Sequence, residues 1–180
     1  GEVAGVRISH ADRVVYRQAG LTKLDVAKFY GGIADNILPH LAGRPLPLVR
    51  CPDGVGPSCF YMKHSGLWKA EVLRKVRIRE KNKTGEYLIA DSRQALITLV
   101  QMGVLEFHTW NSTAESLEQP DRVVFDLDPG PKVDWAAVVD AARLLQSSLE
   151  ALGLKSFVKT TGGHGLHVVV PLRPSTDWTT

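Results

Sequence analysis

Apolar and polar residues alternate along this chain with two periods, one typical of helices and one typical of strands. The capping-box pattern Thr22-x-x-Asp25 is followed by apolar residues at helical spacing, which predicts a helix over residues 23–38. Ser92 has the character of an N-cap for a second helix, and Gly103 is its natural stop. Residues 46–50 and 60–63 then predict a strand and its hairpin partner, and residues 104–110 have extended character.

The second half of the chain has a more regular pattern. Residues 122–127 predict a strand, and a helix follows that begins at Asp134 and ends at Gly153. Residues 156–160 and 166–170 predict two more strands, joined by a glycine-rich turn. The order of these elements predicts an α+β fold, with a mixed β-sheet core covered by helices.

Composition narrows the class of protein. A length of 180 residues fits one domain over residues 1–180, and 44% hydrophobic with 23% charged residues excludes a disordered tail, a collagen-like repeat and a coiled coil. Apolar runs stay far below the roughly 18 residues that would span a bilayer, so we expect no membrane partner. The first residues lack a signal-peptide pattern, and we expect a cytoplasmic protein.

Two cysteines, Cys51 and Cys59, do not make a disulfide framework, and we expect them to be reduced. Together with His64 they form a set that lacks the short cysteine spacing of a structural zinc site. Zinc binding is therefore the weaker interpretation of these residues.

Charge is distributed unevenly along the chain. Residues 1–105 carry 16 Lys/Arg against 9 Asp/Glu, whereas residues 106–180 carry 6 against 10. The densest basic stretch runs from Lys69 to Lys83, and within it Arg77 and Arg79 alternate with apolar residues as on one face of a strand. Such a face indicates either a charge-protected edge strand or a contact with nucleic acid.

Asp126 and Asp128 are separated by one residue on a predicted strand, so both side chains point to the same face. Their Cα atoms are expected roughly 6.5–7 Å apart, a spacing at which two carboxylates can converge on divalent cations for phosphoryl transfer. The alternative is that Asp128 opens a turn and Asp126 faces solvent.

The turn from Thr161 to Gly165 contains three glycines, which let backbone amides approach an anion closely. It matches neither standard nucleotide fingerprint, and it also fits a plain hairpin. His167 on the following strand is either a ligand or a core residue, and His108, which shares a face with Glu106 and Trp110, is either a phosphate or sugar contact or structural.

Taken together, several ordered segments resemble one known family. Each segment is a weak match by itself, and the match is specific because so many segments occur in the same order. The similar segments are residues 9–16, 21–23, 38–45, 60–64, 101–103, 108–111, 120–122, 124–131 and 159–172. They resemble the polymerase domain of bacterial DNA ligase D, which has a primase-like fold of the archaeo-eukaryotic primase superfamily.

The resemblance implies a template-directed nucleotidyltransferase that acts at DNA ends in non-homologous end joining, prefers ribonucleotides and uses Mn²⁺ or Mg²⁺. Asp126 and Asp128 match two metal-binding aspartates of the family. The nucleotide-binding positions are matched by His108, Thr161, His164 and His167.

The resemblance also implies DNA contacts. Arg13 and Lys23 match residues that hold a 5′-phosphate at a DNA end or gap. Arg50, Phe60, Tyr61 and Lys63 match residues that contact the template strand. The expected partners are DNA ends or gapped DNA with a 5′-phosphate, ribo- or deoxyribonucleoside triphosphates, the end-binding protein Ku and an attached ligase domain, at a nucleoid-associated location.

The chain departs from the family pattern at three points. Thr161 stands where the family has Ser, His164 stands where it has Lys, and the third catalytic aspartate comes from a later strand, so we expect the C-terminal part of the domain to be absent. A non-catalytic module that binds 5′-phosphorylated DNA ends is therefore the alternative function, and a two-metal nuclease is a third.

Overall fold

Two units of the chain, Gly1–Trp110 and Asn111–Thr180, are each built around their own buried apolar side chains. The computed structural model describes residues 1–66, 70–175 and 177–178. Lys69, the first residue of the basic stretch, lies outside the described residues. In the described part of the chain, no helix is both long enough and apolar enough to cross a membrane.

The first unit contains short antiparallel sheets and three helices among its described residues. Its elements in order are β1 Glu2–Val3, β2 Val6–Arg7, β3 Val14–Tyr16, β4 Leu21–Thr22, α1 Lys23–Gly32, α2 Ala34–Leu41, β5 Leu48–Arg50, β6 Phe60–Met62, β7 Arg74–Arg79, β8 Thr84–Ile89, α3 Arg93–Gln101 and β9 Val104–Phe107. The strands pair as β1–β2, β3–β4, β6–β5–β9 and β7–β8.

The long first helix predicted over residues 23–38 is two helices in the structure. The capping box is present as predicted, since the Thr22 hydroxyl accepts from the Asp25 backbone N–H and the Asp25 carboxylate accepts from the Thr22 N–H. The α1 helix ends at the Gly31–Gly32 pair, and Ile33 separates it from α2 with φ −95° and ψ 6°. A glycine pair weakens a helix because it loses more backbone entropy than other residues do.

The sheet β6–β5–β9 carries much of the predicted DNA-contacting surface. Its antiparallel pairing of residues 48–50 with 60–62 confirms the predicted hairpin. The α3 helix begins at the N-cap Ser92, as predicted, and Leu96 and Leu99 on it are fully buried. A single apolar cluster thus joins this helix to β5 and β8.

The expectation of reduced cysteines is wrong for this structure, because Cys51 and Cys59 form a disulfide. Cys51 follows β5 directly and Cys59 precedes β6, so the hairpin brings their Cα atoms to 4.2 Å. Two cysteines at the ends of paired strands meet because of the strand register, which their spacing of eight residues does not reveal. Because both sulfurs are in the disulfide, neither is a thiolate that could bind zinc together with His64.

The second unit is a three-stranded antiparallel sheet with one helix. Its elements are β10 Arg122–Leu127, α4 Trp135–Ala151, β11 Phe157–Thr160 and β12 Leu166–Pro171, and the strand order is β10–β12–β11. Asp134 caps α4 and Gly153 follows it with φ +73°, both as predicted. Alternate residues Leu166, Val168 and Val170 of the central strand pack in one cluster with α4, which leaves His167 and Val169 on the other face of β12.

Candidate DNA-end and nucleotide sites

A cavity of about 200 Å³ in the first unit is lined by three of the basic residues predicted to contact DNA, Arg13, Lys23 and Arg50. Arg13 precedes β3, Lys23 is the first residue of α1 and Arg50 is the last residue of β5. Three separate segments therefore deliver their cations to one concave surface. Such a cluster is suited to an anionic group that can accept several charge-assisted hydrogen bonds.

Backbone carbonyls hold Arg13 and Lys23 in place. The Lys23 ammonium donates to the Ser9 carbonyl at 3.1 Å, and an Arg13 guanidinium N–H donates to the Pro52 carbonyl at 2.7 Å. The Asp53 carboxylate lies 4.0 Å from Arg13. Burial, and secondarily the charge of Arg13, lower the pKa of Lys23. An anion bound between these two cations would relieve both effects, which is the electrostatic condition for phosphate binding.

Two further polar residues line the same cavity, His10 and Gln101. His10 has a positive φ of 50°, which is uncommon for a residue other than glycine, and its carbonyl accepts from the Arg13 N–H at 3.0 Å. Sequence reasoning missed both residues as site members. The only available signal was their presence in the family-like segments 9–16 and 101–103.

The predicted template contacts lie on or next to β6. Phe60 and Tyr61 are exposed, and Tyr61 retains 53% of its accessible surface. The Arg50 guanidinium stacks over the Phe60 ring at 5.8 Å, and its Nε donates to the Met102 carbonyl at 2.7 Å. Arg50 thus connects the cationic cavity to the aromatic surface. Exposed aromatic rings beside cations are the usual platform for unpaired bases.

His108 follows β9 and lies near this aromatic surface. Its Nε2 is 3.1 Å from the Glu106 carboxylate, and its ring meets the Tyr61 ring edge-on at 5.6 Å. The predicted shared face of His108 and Glu106 is therefore present. Trp110, placed on the same face by the sequence pattern, instead packs against Tyr87 at 5.3 Å.

In the second unit, Asp126 and Asp128 lie at the end of β10. Asp126 faces His167 across the strand pair, and the His167 Nε2 is 3.4 Å from the Asp126 carboxylate. The Asp126 side chain keeps 66% of its accessible surface. His167 Nδ1 is buried without a hydrogen-bond partner among the described residues. The predicted carboxylate pair is thus solvent-accessible, and His167 orients one member of it.

Asp126 and Asp128 have the oxygen ligands that a divalent metal ion prefers, but two carboxylates alone do not complete its coordination. Exposed carboxylate oxygens are ligands that Mg²⁺ and Mn²⁺ prefer. Among residues 1–66, 70–175 and 177–178, no group of three or more His, Cys, Asp or Glu is arranged to hold a metal ion. Asp126 and Asp128 would therefore supply two ligands, and the others must be water, substrate or residues beyond the described ones.

The glycine turn is shaped by the hydroxyl of Thr161. This hydroxyl donates to the Gly165 carbonyl at 3.2 Å and accepts from the Gly163 N–H at 3.3 Å. Gly162 has φ +86°, and a Cβ on Gly165 would lie 2.7 Å from the Leu127 carbonyl oxygen. Both positions therefore require glycine. The turn passes close to the end of β10, directly beside the predicted metal ligands.

His164 lies apart from the Thr161 hydroxyl network, in a cavity of about 260 Å³ formed with Pro129, Pro131 and Trp135. The cross-strand partner of His167 on β11 is Lys159, a cation on the Asp126 face that sequence reasoning missed. Its signal was the alternation along residues 157–160, which places Lys159 and Phe157 on the same face.

The sequence of this chain is similar to those of one family of known proteins. The model of the LigD primase-polymerase domain family matches residues 22–180. The multifunctional non-homologous end joining protein LigD of Pseudomonas aeruginosa is 41% identical over 175 residues, which are 97% of this chain and 21% of that protein. The LigD of Mycobacterium tuberculosis strain H37Rv is 35% identical over 175 residues, covering 93% of this chain and 23% of that protein.

The fold has a close structural counterpart. The polymerase domain of Mycobacterium tuberculosis Ligase D, solved in complex with DNA, superposes with a TM-score of 0.87 at 33% identity, over 95% of this chain and 63% of that chain. The α+β, primase-like fold class is therefore confirmed. The chain belongs to the LigD primase-polymerase domain family. It spans 21% and 23% of the length of the two relatives named above.

Proposed function

We propose that this chain is the part of a DNA-end polymerase that binds a 5′-phosphorylated DNA end and supplies two metal ligands for nucleotidyl transfer. The observation that supports the proposal is that Asp126 and Asp128 are both exposed at the end of β10, where His167 contacts the Asp126 carboxylate. The proposed reaction joins a nucleoside triphosphate to a primer 3′-hydroxyl under the direction of a template, and pyrophosphate leaves.

In this proposal the second unit handles the nucleotide. Asp126 and Asp128 would hold Mn²⁺ or Mg²⁺, and such an ion would lower the pKa of the attacking hydroxyl and stabilise the leaving pyrophosphate. His167 holds the Asp126 carboxylate through the contact at 3.4 Å. The Thr161 hydroxyl fixes the glycine turn through Gly163 and Gly165, and His164 on this turn adds a contact to the triphosphate.

The first unit handles the DNA. Arg13 and Lys23 receive the 5′-phosphate in the cationic cavity, because an anion there offsets the burial of Lys23 and its repulsion by Arg13. Phe60 and Tyr61 stack on template bases, where each stacked base contributes about 1–3 kcal/mol. Arg50 and Lys63 contact the template backbone. Ribonucleotide preference, Ku and an attached ligase domain belong to the same proposal.

A Lys23→Ala substitution tests the DNA-end assignment. A hydrogen bond to a charged group contributes about 1.5–3 kcal/mol, so Lys23→Ala should weaken binding of 5′-phosphorylated gapped DNA by about 10-fold to 150-fold. Binding of the same DNA with a 5′-hydroxyl should change little. The matched control is Lys28→Ala, because Lys28 is exposed on the same helix and is not among the cavity-lining residues. Equal discrimination between the two ends by Lys23→Ala and the parent protein would contradict the assignment.

An end-binding module without catalysis is the second candidate, and the finding that favours it is the lack of a third metal ligand among the described residues. An assay of manganese-dependent ribonucleotide addition to gapped DNA distinguishes the polymerase from the end-binding module. We expect weak addition or none, with binding of the DNA end preserved in Asp126→Ala and in the surface control Asp140→Ala. Robust addition that Asp126→Ala abolishes and Asp140→Ala retains would reject the module.

A further inference from the structure

We propose that His64 is a positioning residue for the template strand, which ties the end of β6 to the β7–β8 hairpin through Glu80. The inference rests on the proposed function, which assigns Phe60, Tyr61 and Lys63 to template contact. Its new element is the reason why these exposed side chains keep one orientation.

The contact between His64 and the hairpin is short and has two members. The His64 Nε2 lies 2.7 Å from the Glu80 Oε1, and the Tyr87 hydroxyl donates to the same oxygen at 2.8 Å. The His64 and Tyr87 rings also meet edge-on, with centroids 5.2 Å apart. One carboxylate oxygen thus joins a residue that follows β6 to residues at the tip and in the second strand of the hairpin.

A second tie follows at the next residue. The Ser65 N–H donates to the Glu86 carbonyl at 2.7 Å, and the Ser65 hydroxyl donates to the Glu86 carboxylate. Lys75 on β7 holds that carboxylate from the other side, with its Nζ at 2.9 Å. Two consecutive residues after Lys63 are therefore fastened to the hairpin.

Gly85 on β8 leaves the space that the His64 imidazole occupies. A Cβ on Gly85 would lie 2.3 Å from the His64 Nε2 and 3.0 Å from the Glu80 Oε1. Gly85 has an ordinary backbone conformation, since it is absent from the glycines with positive φ. The missing side chain at Gly85 therefore serves the seating of His64 and not a turn.

The β6 strand depends on this anchor because it is short and lies at a sheet edge. It has three residues and pairs with β5 on one side only in the order β6–β5–β9. Phe60 and Tyr61 are both exposed on it. An edge strand of this length has few backbone hydrogen bonds of its own, so its direction depends on what holds its two ends. The Cys51–Cys59 disulfide holds the end before Phe60, and the His64 contact holds the end after Lys63.

The electrostatics of the cluster favour a charged Glu80 and a protonated Tyr87. The hydrogen bond from His64, and secondarily that from Tyr87, lower the pKa of Glu80, which is therefore a carboxylate at neutral pH. Burial and the bond to Glu80 raise the pKa of Tyr87 to about 12, so Tyr87 remains a donor. The other charged groups that face this cluster are Glu86, Lys75 and Lys83.

The test measures DNA affinity by fluorescence anisotropy with two ligands, a 5′-phosphorylated gapped duplex that exposes template bases and a 5′-phosphorylated blunt duplex that lacks them. His64→Gln should lose about threefold to tenfold in affinity for the first and keep its affinity for the second. The matched control is His40→Gln, an exposed histidine on α2.

Gly85→Ala provides a second variant in which His64, Glu80 and Tyr87 are all retained. It displaces the imidazole by steric contact, so it should reproduce the selective loss on the gapped duplex. A purely structural role predicts that both duplexes lose affinity equally in His64→Gln and Gly85→Ala, and that outcome overturns the inference. Unchanged binding in both variants overturns it as well. If the parent protein binds the gapped and the blunt duplex with equal affinity, exposed template bases do not contribute to binding. That result would contradict the proposed function, and the inference would fail with it.

Discussion

The Cys51–Cys59 disulfide gives the most direct prediction of stability. It joins residues eight positions apart and closes a small loop between β5 and β6. Closing a loop of that length removes chain entropy from the unfolded state that corresponds to about 2.5 kcal/mol at 25 °C. For a chain of this size, a change of that magnitude shifts the melting temperature by about 5–10 °C. Reduction, or the double substitution Cys51→Ala/Cys59→Ala, should produce this decrease.

Thermal unfolding followed by circular dichroism, with and without a dithiol reductant, measures the effect. Alanine suits the buried Cys51 because a serine hydroxyl would add an unpaired polar group to the apolar cluster. The reductant should leave the double variant unchanged, which separates the disulfide from general effects of the reagent. Equal melting temperatures for the oxidised and the reduced parent would refute the reasoning.

The same disulfide borders the cationic cavity, and its effect there should be smaller. The enclosed loop holds Arg13 through the Pro52 carbonyl, whereas Lys23 is held by the Ser9 carbonyl outside the loop. The Val55 N–H also donates to the Val15 carbonyl at 2.9 Å, independently of the sulfurs. Discrimination between 5′-phosphate and 5′-hydroxyl ends should therefore persist after reduction.

Two further predictions concern buried groups of the first unit. Burial raises the pKa of Tyr30 to about 12 from an unfolded value near 10, so its stabilising contribution is complete below about pH 10 and disappears as the pH rises to 12. Tyr30→Phe should reduce this loss of stability at alkaline pH. It should also lower the free energy of unfolding by about 1 kcal/mol at neutral pH, because the Tyr30 hydroxyl donates to the Leu105 carbonyl at 2.6 Å. Urea unfolding at several pH values measures both effects. Leu96→Ala should cost about 2–5 kcal/mol in the same assay, because Leu96 is fully buried, whereas Leu144→Ala at a side chain 72% exposed should cost little.

Features of the fold that depend on neighbours in sequence were predictable. The N-caps Thr22, Ser92 and Asp134 and the stop at Gly153 all act within one helical turn, so the residues that form them are adjacent in the chain. The shared face of Asp126 and Asp128 was predicted from strand alternation in the same way, and the strand itself ends at Leu127, one residue before Asp128. Local rules therefore located the caps before any tertiary contact was known.

The first helix shows the limit of local pattern. Apolar spacing continues past Ile33, yet the helix ends at the Gly31–Gly32 pair, and Gly31 packs so closely against the first strand that a Cβ there would lie 2.9 Å from the Val3 side chain. A close approach to a residue some thirty positions away is a tertiary constraint. Hydrophobic periodicity, which reports one face of one helix, does not contain it.

The pairing of β7 with β8 was also not predicted from the sequence. The cationic alternation of β7 was visible, but the strand Thr84–Ile89 was not assigned. The structure shows what the cations contact, since Glu86 accepts from Lys75 and lies 4.0 Å from Arg77, while Glu80 turns to His64. The choice between a protected edge and a nucleic-acid contact depends on such partners, which only the register decides.

The residue types in this chain decide which chemistry is available: carboxylates two apart on a strand, a glycine turn that tolerates positive φ, and basic residues near the start of a helix. These are properties of neighbouring residues, whose geometry is set by the backbone periods of 2.0 and 3.6. The tertiary structure decides which of them meet. Arg13, Lys23 and Arg50 come to one cavity, Cys51 reaches Cys59, and His167 pairs with Asp126, because strand register and helix packing bring distant segments together. Long-range contacts of this kind depend on the burial of many side chains at once, and no local pattern of residues encodes their pairing.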